Sequence, residues 1–407
     1  MIRIGTSTAF FENTGLRLSY RIGLALAALL FGFAQCKKDP PGGVTPTACD
    51  LTDIPYAPTA YTIPKPAHFP QIPVPADNPE TLEGVQLGRR LFYDPILSGD
   101  STQSCSSCHL PQGSFTDNKA LSKGIDGIEG RRSAMSLLNV AYATNGLFWD
   151  GRAKSLEDQA LKPVEDPIEM HAQWTKVVDK LKQHPVYPEL FRKAFGVNSC
   201  EDITKELAAK AIAQFERILI SSGTSKYDLF ATGAGEFEDE ELRGKLMFFD
   251  EGQNSGLPDA QCFHCHGSIT LTGNSYFNNG LDSVGSLDEF ADKGRWDFVK
   301  GLSANPDTTT KGKFRTPTLR NIALSAPYMH DGRFKTLEEV MAQYNDNGFG
   351  VMNEDIFVQQ IGFPVTVNGK VHYSGLTPSQ TSDVLAFLHT LTDTVFIHNP
   401  DIQNPFQ

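Results

Sequence analysis

Several things are scarce in this 407-residue chain. Positive charge is not in excess: 36 Lys and Arg stand against 48 Asp and Glu, a formal net charge of −12. That balance argues against nucleic acid or an anionic membrane surface as a partner and would suit a basic protein. No hydrophobic run is long enough to span a bilayer comfortably, the most apolar stretch covering only about 22 to 33. Strand-like alternation of apolar and polar residues is rare, which leaves a mainly α class with long loops. Nothing in the composition suggests disorder, and the length suits two compact domains once a leader and a linker are set aside.

The leader is residues 1–36. Arg3, Arg17 and Arg21 precede the apolar run, and Ala34-Gln35-Cys36 follows it, as in a bacterial export signal. Cys36 stands where a lipoprotein carries its lipid-accepting cysteine, although Gln35 is bulky for that motif, so a lipid-anchored and a soluble exported product both stay open. Residues 37–76 are rich in Pro, Gly and Thr and read as a linker, a tether or a strap laid over the surface. Export implies an oxidising compartment, where Cys49 and Cys200 either pair or stay as thiols.

The globular part should begin near Asn78, where Asn78-Pro79-Glu80 offers a cap and a proline ahead of apolar Leu82, Val85 and Phe92. Further helices are expected over 155–161, 204–220, 336–345 behind a Thr336-x-x-Glu339 capping box, and from Thr377 past Leu391. A faint repeat divides the chain. Gly88-Arg-Arg-Leu-Phe-Tyr-Asp94 answers to Gly244-Lys-Leu-Met-Phe-Phe-Asp250, and the block from Arg132 to Asn139 answers to that from Arg315 to Asn321. Two copies of one unit explain this better than chance. The boundary falls in the Gly-rich acidic stretch 232–240, giving one domain over 77–231 and a second over 232–407.

Each copy carries a Cys-x-x-Cys-His motif, Cys105-Ser-Ser-Cys108-His109 and Cys262-Phe-His-Cys265-His266. This spacing places two sulfurs at the vinyl groups of a c-type haem and the adjacent histidine under the iron. A zinc site would bring its cysteine pairs closer together along the chain, and a thioredoxin-like redox pair would sit in a βαβ pattern that is missing here.

Beyond the motifs, residues 77–395 resemble the bacterial di-haem cytochrome c peroxidase and MauG family. The carriers are Leu87 to Asp94, both haem motifs, Phe148-Trp149-Asp150-Gly151-Arg152, Gln159, Pro167-Ile-Glu169-Met170, Phe314 to Asn321 and Pro327-Tyr-Met-His-Asp331-Gly332-Arg333. The resemblance implies two cytochrome c-like haem domains in tandem and two covalently bound haem c groups. It implies a peroxide site at the haem of His109, with Glu169 as acid and base, Gln159 orienting peroxide, and Trp149 bridging the two haems. From the residues alone, Glu169 would be a solvated acid and Trp149 a core aromatic. Asp150 and Arg152 are expected to be structural.

Two departures from the peroxidase pattern stand out. Many relatives close the resting peroxide site with a distal histidine, yet no histidine occurs from Leu110 to Leu147, and Ile125 falls near the expected position. Met135 is the other candidate there, but it sits in a block assigned to the core. An open iron that needs no reductive activation is the expectation. On the second haem, a methionine ligand of typical peroxidases is replaced by Tyr344, on the same helical face as Leu337, Val340 and Met341. A tyrosine there resembles MauG, with Met329 or Met341 as the alternative ligand. The family also implies calcium near Ser325 and Pro327, with Ser133 in place of an asparagine, which leaves calcium open.

The expected activity is reduction of hydrogen peroxide by electrons from a small cytochrome c or cupredoxin in the periplasm or cell envelope. A MauG-like oxidase acting on a protein or organic substrate is the rival, and a plain electron-transfer cytochrome is the third reading. No nucleic acid partner is expected, the membrane enters only through Cys36, and a homodimer is left open.

Overall fold

Helix α1 spans Leu82–Tyr93 and starts later than the Asn78 signal suggests. Thr81 caps it, its hydroxyl accepting from the N–H of Gly84 at 3.0 Å. Asn78 is instead spent on tertiary structure, its carboxamide donating to Glu157 at 2.7 Å and to the carbonyl of Lys210 at 3.1 Å. In a computed structural model, residues 49–252, 255–345, 352 and 354–407 are described. The leader and Cys36 lie outside the described residues.

The fold is mainly helical. After α1 come α2 (Leu156–Glu165), α3 (Trp174–Gln183), α4 (Tyr187–Phe195), α5 (Lys205–Arg217) and α6 (Lys226–Ala231). Then follow α7 (Asp239–Phe248), α8 (Phe263–His266), α9 (Trp296–Val299), α10 (Leu337–Asn345), α11 (Pro378–His389) and α12 (Thr394–Ile397). Strands β1 (Tyr276–Phe277) and β2 (Phe314–Arg315) pair antiparallel, as do β3 (Pro364–Val367) and β4 (Lys370–Tyr373). Two helices end sooner than their apolar pattern suggests, α5 at Arg217 and α11 at His389. In both, the apolar residues beyond the end, Leu219 and Leu391, are buried and give their carbonyls to a loop rather than to another helical turn. Helix α2 runs on through Pro163, which takes away the helical donor that the carbonyl of Gln159 would otherwise meet.

The repeat is visible at the level of single atoms. A side chain on Gly88 would collide with the carbonyl of Ala211 and crowd Phe215, and one on Gly244 would collide with the carbonyl of Asp383 and crowd Phe387. Thus α1 crosses α5, and α7 crosses α11, at a glycine set against a carbonyl and the β-carbon of a phenylalanine four residues on. Asn139 and Asn321 share the same left-handed conformation, φ 60° and ψ 21°, which asparagine tolerates better than most residues. Their N–H groups donate to the carbonyls of Leu219 and Leu391 at 2.7 and 3.1 Å. Their side-chain oxygens accept from the N–H groups of Ser221 and Asp393.

Each crossing nucleates its own core: Phe92, Phe115, Phe215 and Leu219 in the first half, Phe248, Val384, Phe387 and Leu391 in the second. Each fully buried Phe or Leu contributes roughly 1.5–3 kcal/mol. The halves are not sealed from one another. Phe396, Ile397 and Ile402 at the end of the chain pack into the first core, and Tyr93 donates to the carbonyl of Ile402 at 2.6 Å. The described part of the Pro-rich segment is a strap bound at both ends, with Leu51 and Phe69 buried and Cys49 joined to Cys200 across a Cα separation of 5.5 Å.

Candidate functional site

In the first half, Cys105–Ser107 forms a tight 3-10 turn, and the N–H of His109 donates to the carbonyl of Cys105 at 3.1 Å. The Nδ1 of His109 lies 2.8 Å from the carbonyl of Phe115. A carbonyl only accepts, so Nδ1 carries the proton and Nε2 keeps its lone pair, the tautomer a metal-ligating imidazole needs. Burial holds the pKa of His109 below its ordinary value, against the raising effect of that carbonyl. His266 repeats the arrangement, with Nδ1 3.3 Å from the carbonyl of Leu271 and a pKa pushed down to about 4 by burial. Burial also raises all four motif thiols, Cys265 to about 12. Among the described residues no group of three or more His, Cys, Asp and Glu is arranged to hold a bare metal ion.

Glu169 sits in the turn after α2. Its carbonyl accepts from the N–H of Ile125 at 3.0 Å, so the loop that stands where a distal histidine would be expected is pinned to the candidate acid and base. Gly124 makes this approach feasible, since a side chain there would press on the carbonyls of Ile168 and Glu169. Ile125 lines the same cavity as Cys108, together with Asp117 and Lys119. Burial pushes the carboxyl of Glu169 up to about 7; Asp166 adds to the rise and Arg152 opposes it. Gln159 stands on α2 with no hydrogen-bond partner for its carboxamide among the described residues. His171, which the sequence reading passed over, also reaches this loop, but its Nδ1 is paired with Asp126 at 2.6 Å.

The second cavity is lined by Cys262, Cys265, His266, Trp149, Arg315, Met329, Met341 and Tyr344. Trp149, from the first half, therefore forms part of the wall of the second site. Its indole N–H donates to the carbonyl of Ser133 at 2.9 Å, and its ring meets that of His330 edge-on at 6.5 Å. Tyr344 faces the cavity from α10, and desolvation raises its phenol to about 12. Met329 lies on the turn before Gly332 with φ 75°, while Met341 is 6% exposed and packed into the core. Met135 accepts from Arg315 through its sulfur at 3.6 Å.

Haem fits this donor set. Arg315 is buried, has no carboxylate partner among the described residues, and burial alone drags its pKa down to about 10. A buried guanidinium without a counter-charge is costly, and a haem propionate in this cavity would supply one. Around Ser133, by contrast, the protein supplies its own contacts: its hydroxyl donates to the carbonyl of Met329 at 2.9 Å and its N–H to that of His330 at 2.7 Å. Asn118 donates to the carbonyls of Leu324 and Ala326, on either side of Ser325. Asp150 and Arg152 are mutually paired at 3.3 Å, with Asp150 also holding Arg132 at 2.7 Å. Asn118 and Asn279 had no signal of their own in the sequence, because what marks each of them is a partner distant along the chain.

The sequence profile of the family described as di-haem cytochrome c peroxidase matches residues 82–236. The chain is 32% identical over 362 residues to the cytochrome-c peroxidase IdrP1 of Denitromonas iodatirespirans, covering 83% of this chain and 90% of that one. It is 36% identical over 279 residues to the methylamine utilization protein MauG of Methylorubrum extorquens, covering 68% and 72%. A crystal structure of a MauG-like protein associated with microbial copper homeostasis superposes with a TM-score of 0.73 at 33% identity, over 86% of this chain and 100% of that one. The paired cradles, the internal repeat and these likenesses agree, and the chain belongs to the di-haem cytochrome c peroxidase family that includes MauG.

Proposed function

We propose that the protein reduces hydrogen peroxide to water at the His109 site, with electrons arriving from a small cytochrome c or cupredoxin at the His266 site and crossing by way of Trp149. The haems, when bound, supply the redox-active irons. The rest is done by the chain. Glu169 accepts the proton of the inner peroxide oxygen and returns it to the outer one, so that the O–O bond breaks with water as the leaving group. The observation that carries this reading is the carboxyl of Glu169, half-buried and raised to about 7, on a residue whose backbone carbonyl accepts from Ile125, in a cavity whose described lining holds no histidine or methionine. A base poised near neutral pH beside an open position suits peroxide and does not suit a pure electron carrier. Gln159 would orient peroxide from α2. The domains run over 77–231 and 232–407, and the chain acts in the periplasm or cell envelope, anchored through Cys36 or free.

A second reading has its own support. Tyr344 in the second cavity and the likeness to a MauG-like structure favour an oxidase that turns the same oxidising power on a protein or organic substrate.

The test is an electron paramagnetic resonance spectrum of the oxidised protein carrying both haems, before and after a slight excess of peroxide. A high-spin signal that peroxide removes without prior reduction is expected, followed by turnover with reduced cytochrome c. Two low-spin signals unmoved by peroxide would overturn both readings, and consumption of peroxide only with an organic or protein substrate would favour the second.

A further inference from the structure

The side-chain nitrogen of Asn279 lies 3.3 Å from the sulfur of Met329 and 3.4 Å from the hydroxyl oxygen of Tyr344. Both side chains line the second cavity with His266, and both carry lone pairs that could serve a haem iron. Of the other donors in that lining, Met341 is packed into the core, and His330 is buried and stacked on Phe314 at 3.7 Å. A carboxamide carries two N–H bonds on one nitrogen, so a single group holds both rivals. Phenolic oxygen is a good acceptor and thioether sulfur a weak one.

The three residues come from separate elements, and each backbone is fixed independently. Asn279 follows β1, whose Phe277 pairs with Phe314 of β2. The preceding residue, Asn278, is clamped at its N–H by Asp355 at 2.7 Å and at its carbonyl by the N–H of the same residue at 2.9 Å. Its side-chain oxygen accepts from Gly280 at 3.1 Å, so Asn279 is bracketed on both sides. Met329 is held in its left-handed conformation by bonds from Ser133 and Gly332 to its carbonyl. Tyr344 is carried by α10. With the backbones held, the freedom left is in the side-chain rotamers, and that is the freedom the Asn279 amide controls.

We infer that Asn279 is a positioning residue that selects Tyr344 over Met329 as ligand to the second haem iron. The amide favours the better acceptor, keeping the phenolic oxygen turned into the cavity, and its other N–H occupies the sulfur lone pair that would otherwise compete. The inference rests on the reading of Tyr344 as ligand.

The experiment compares wild type, Asn279→Ser, Asn279→Leu and Asn279→Leu/Met329→Leu, all loaded with both haems. The axial ligand of the second haem is read by electron paramagnetic resonance and near-infrared magnetic circular dichroism, and its midpoint potential by redox titration. Wild type should show oxygen ligation. Both single variants should shift the ratio of sulfur to oxygen ligation toward sulfur by roughly fivefold, the factor carried by one lost neutral hydrogen bond. Their potential should rise, since a thioether favours the ferrous state, and the double variant should lose the sulfur-ligated fraction. Oxygen ligation and potential unchanged in Asn279→Ser and Asn279→Leu would overturn the role of Asn279 while leaving Tyr344 in place. Sulfur ligation in wild type would overturn the Tyr344 reading and the inference with it. Should Asn279→Leu fail to load haem, Asn279→Ser, too short to reach either partner, carries the comparison.

Discussion

The hydroxyl of Ser133 donates to the main-chain carbonyl of Met329 at 2.9 Å, across 196 residues of sequence. The same serine gives its N–H to His330 and its carbonyl to the indole of Trp149. One residue thus ties the candidate electron bridge in the first half to the turn of Met329 and His330 in the second.

Ser133→Ala removes only the hydroxyl bond. It should cost about 1 kcal/mol in denaturant unfolding of the holoprotein. It should also perturb the spectrum of the second haem more than that of the first, because Met329 loses one of the two bonds that hold its left-handed backbone. Equal perturbation of both haems would mean that the contact is generic packing.

Glu169, raised to about 7, accepts a proton only when ionised. The reaction of the oxidised protein with peroxide, followed by stopped flow, should therefore slow about tenfold for each pH unit below 7 and level off above it. Glu169→Gln should abolish that dependence and lower the plateau about a hundredfold or more. A wild-type profile that is flat from pH 5 to 8 would remove Glu169 from the proton step.

Glu216, on α5, is 4% exposed, and burial pushes its carboxyl up to about 8; nearby Arg217 opposes the rise and Glu157 adds to it. Its folded pKa lies above the ordinary 4.5, so the folded state holds this proton more tightly than the unfolded chain does. Stability from this group is complete below about 4.5 and is lost as pH climbs through about 8. Glu216→Gln keeps the shape without the charge and should gain stability over wild type at pH 8.5 but not at pH 4. The melting-temperature difference between the two proteins at those two pH values decides it.

Gly88 and Gly244 allow the paired helix crossings, each side chain they lack being one that would strike a carbonyl. Gly88→Ala should destabilise by roughly 1–3 kcal/mol or more and loosen the His109 half, and Gly244→Ala should do the same to the His266 half. Hydrogen exchange, read separately over α1 with α5 and over α7 with α11, would show whether each effect stays in its own half.

Much of this protein is settled by local sequence. The two Cys-x-x-Cys-His motifs, the caps at Ser155, Thr204 and Thr377, and the repeated glycine and asparagine positions need only spacing and side-chain chemistry. Family likeness added Glu169, Trp149 and Tyr344, whose residue types are otherwise unremarkable in a loop or a core. A local cap signal fails where the residue has a better partner far away, as Asn78 does in Glu157 and Lys210.

Only the tertiary structure decided the rest. Asn279 acquires meaning because Met329 and Tyr344 converge on it, Arg315 because burial leaves it without a counter-charge among the described residues, and Ser133 because it bonds both Trp149 and Met329. The pKa of Glu169 is likewise a property of its surroundings. Covalent spacing and helix caps act over a few residues and can be read along the chain. Desolvation and hydrogen bonding act through space, and their partners are chosen only when the chain has folded.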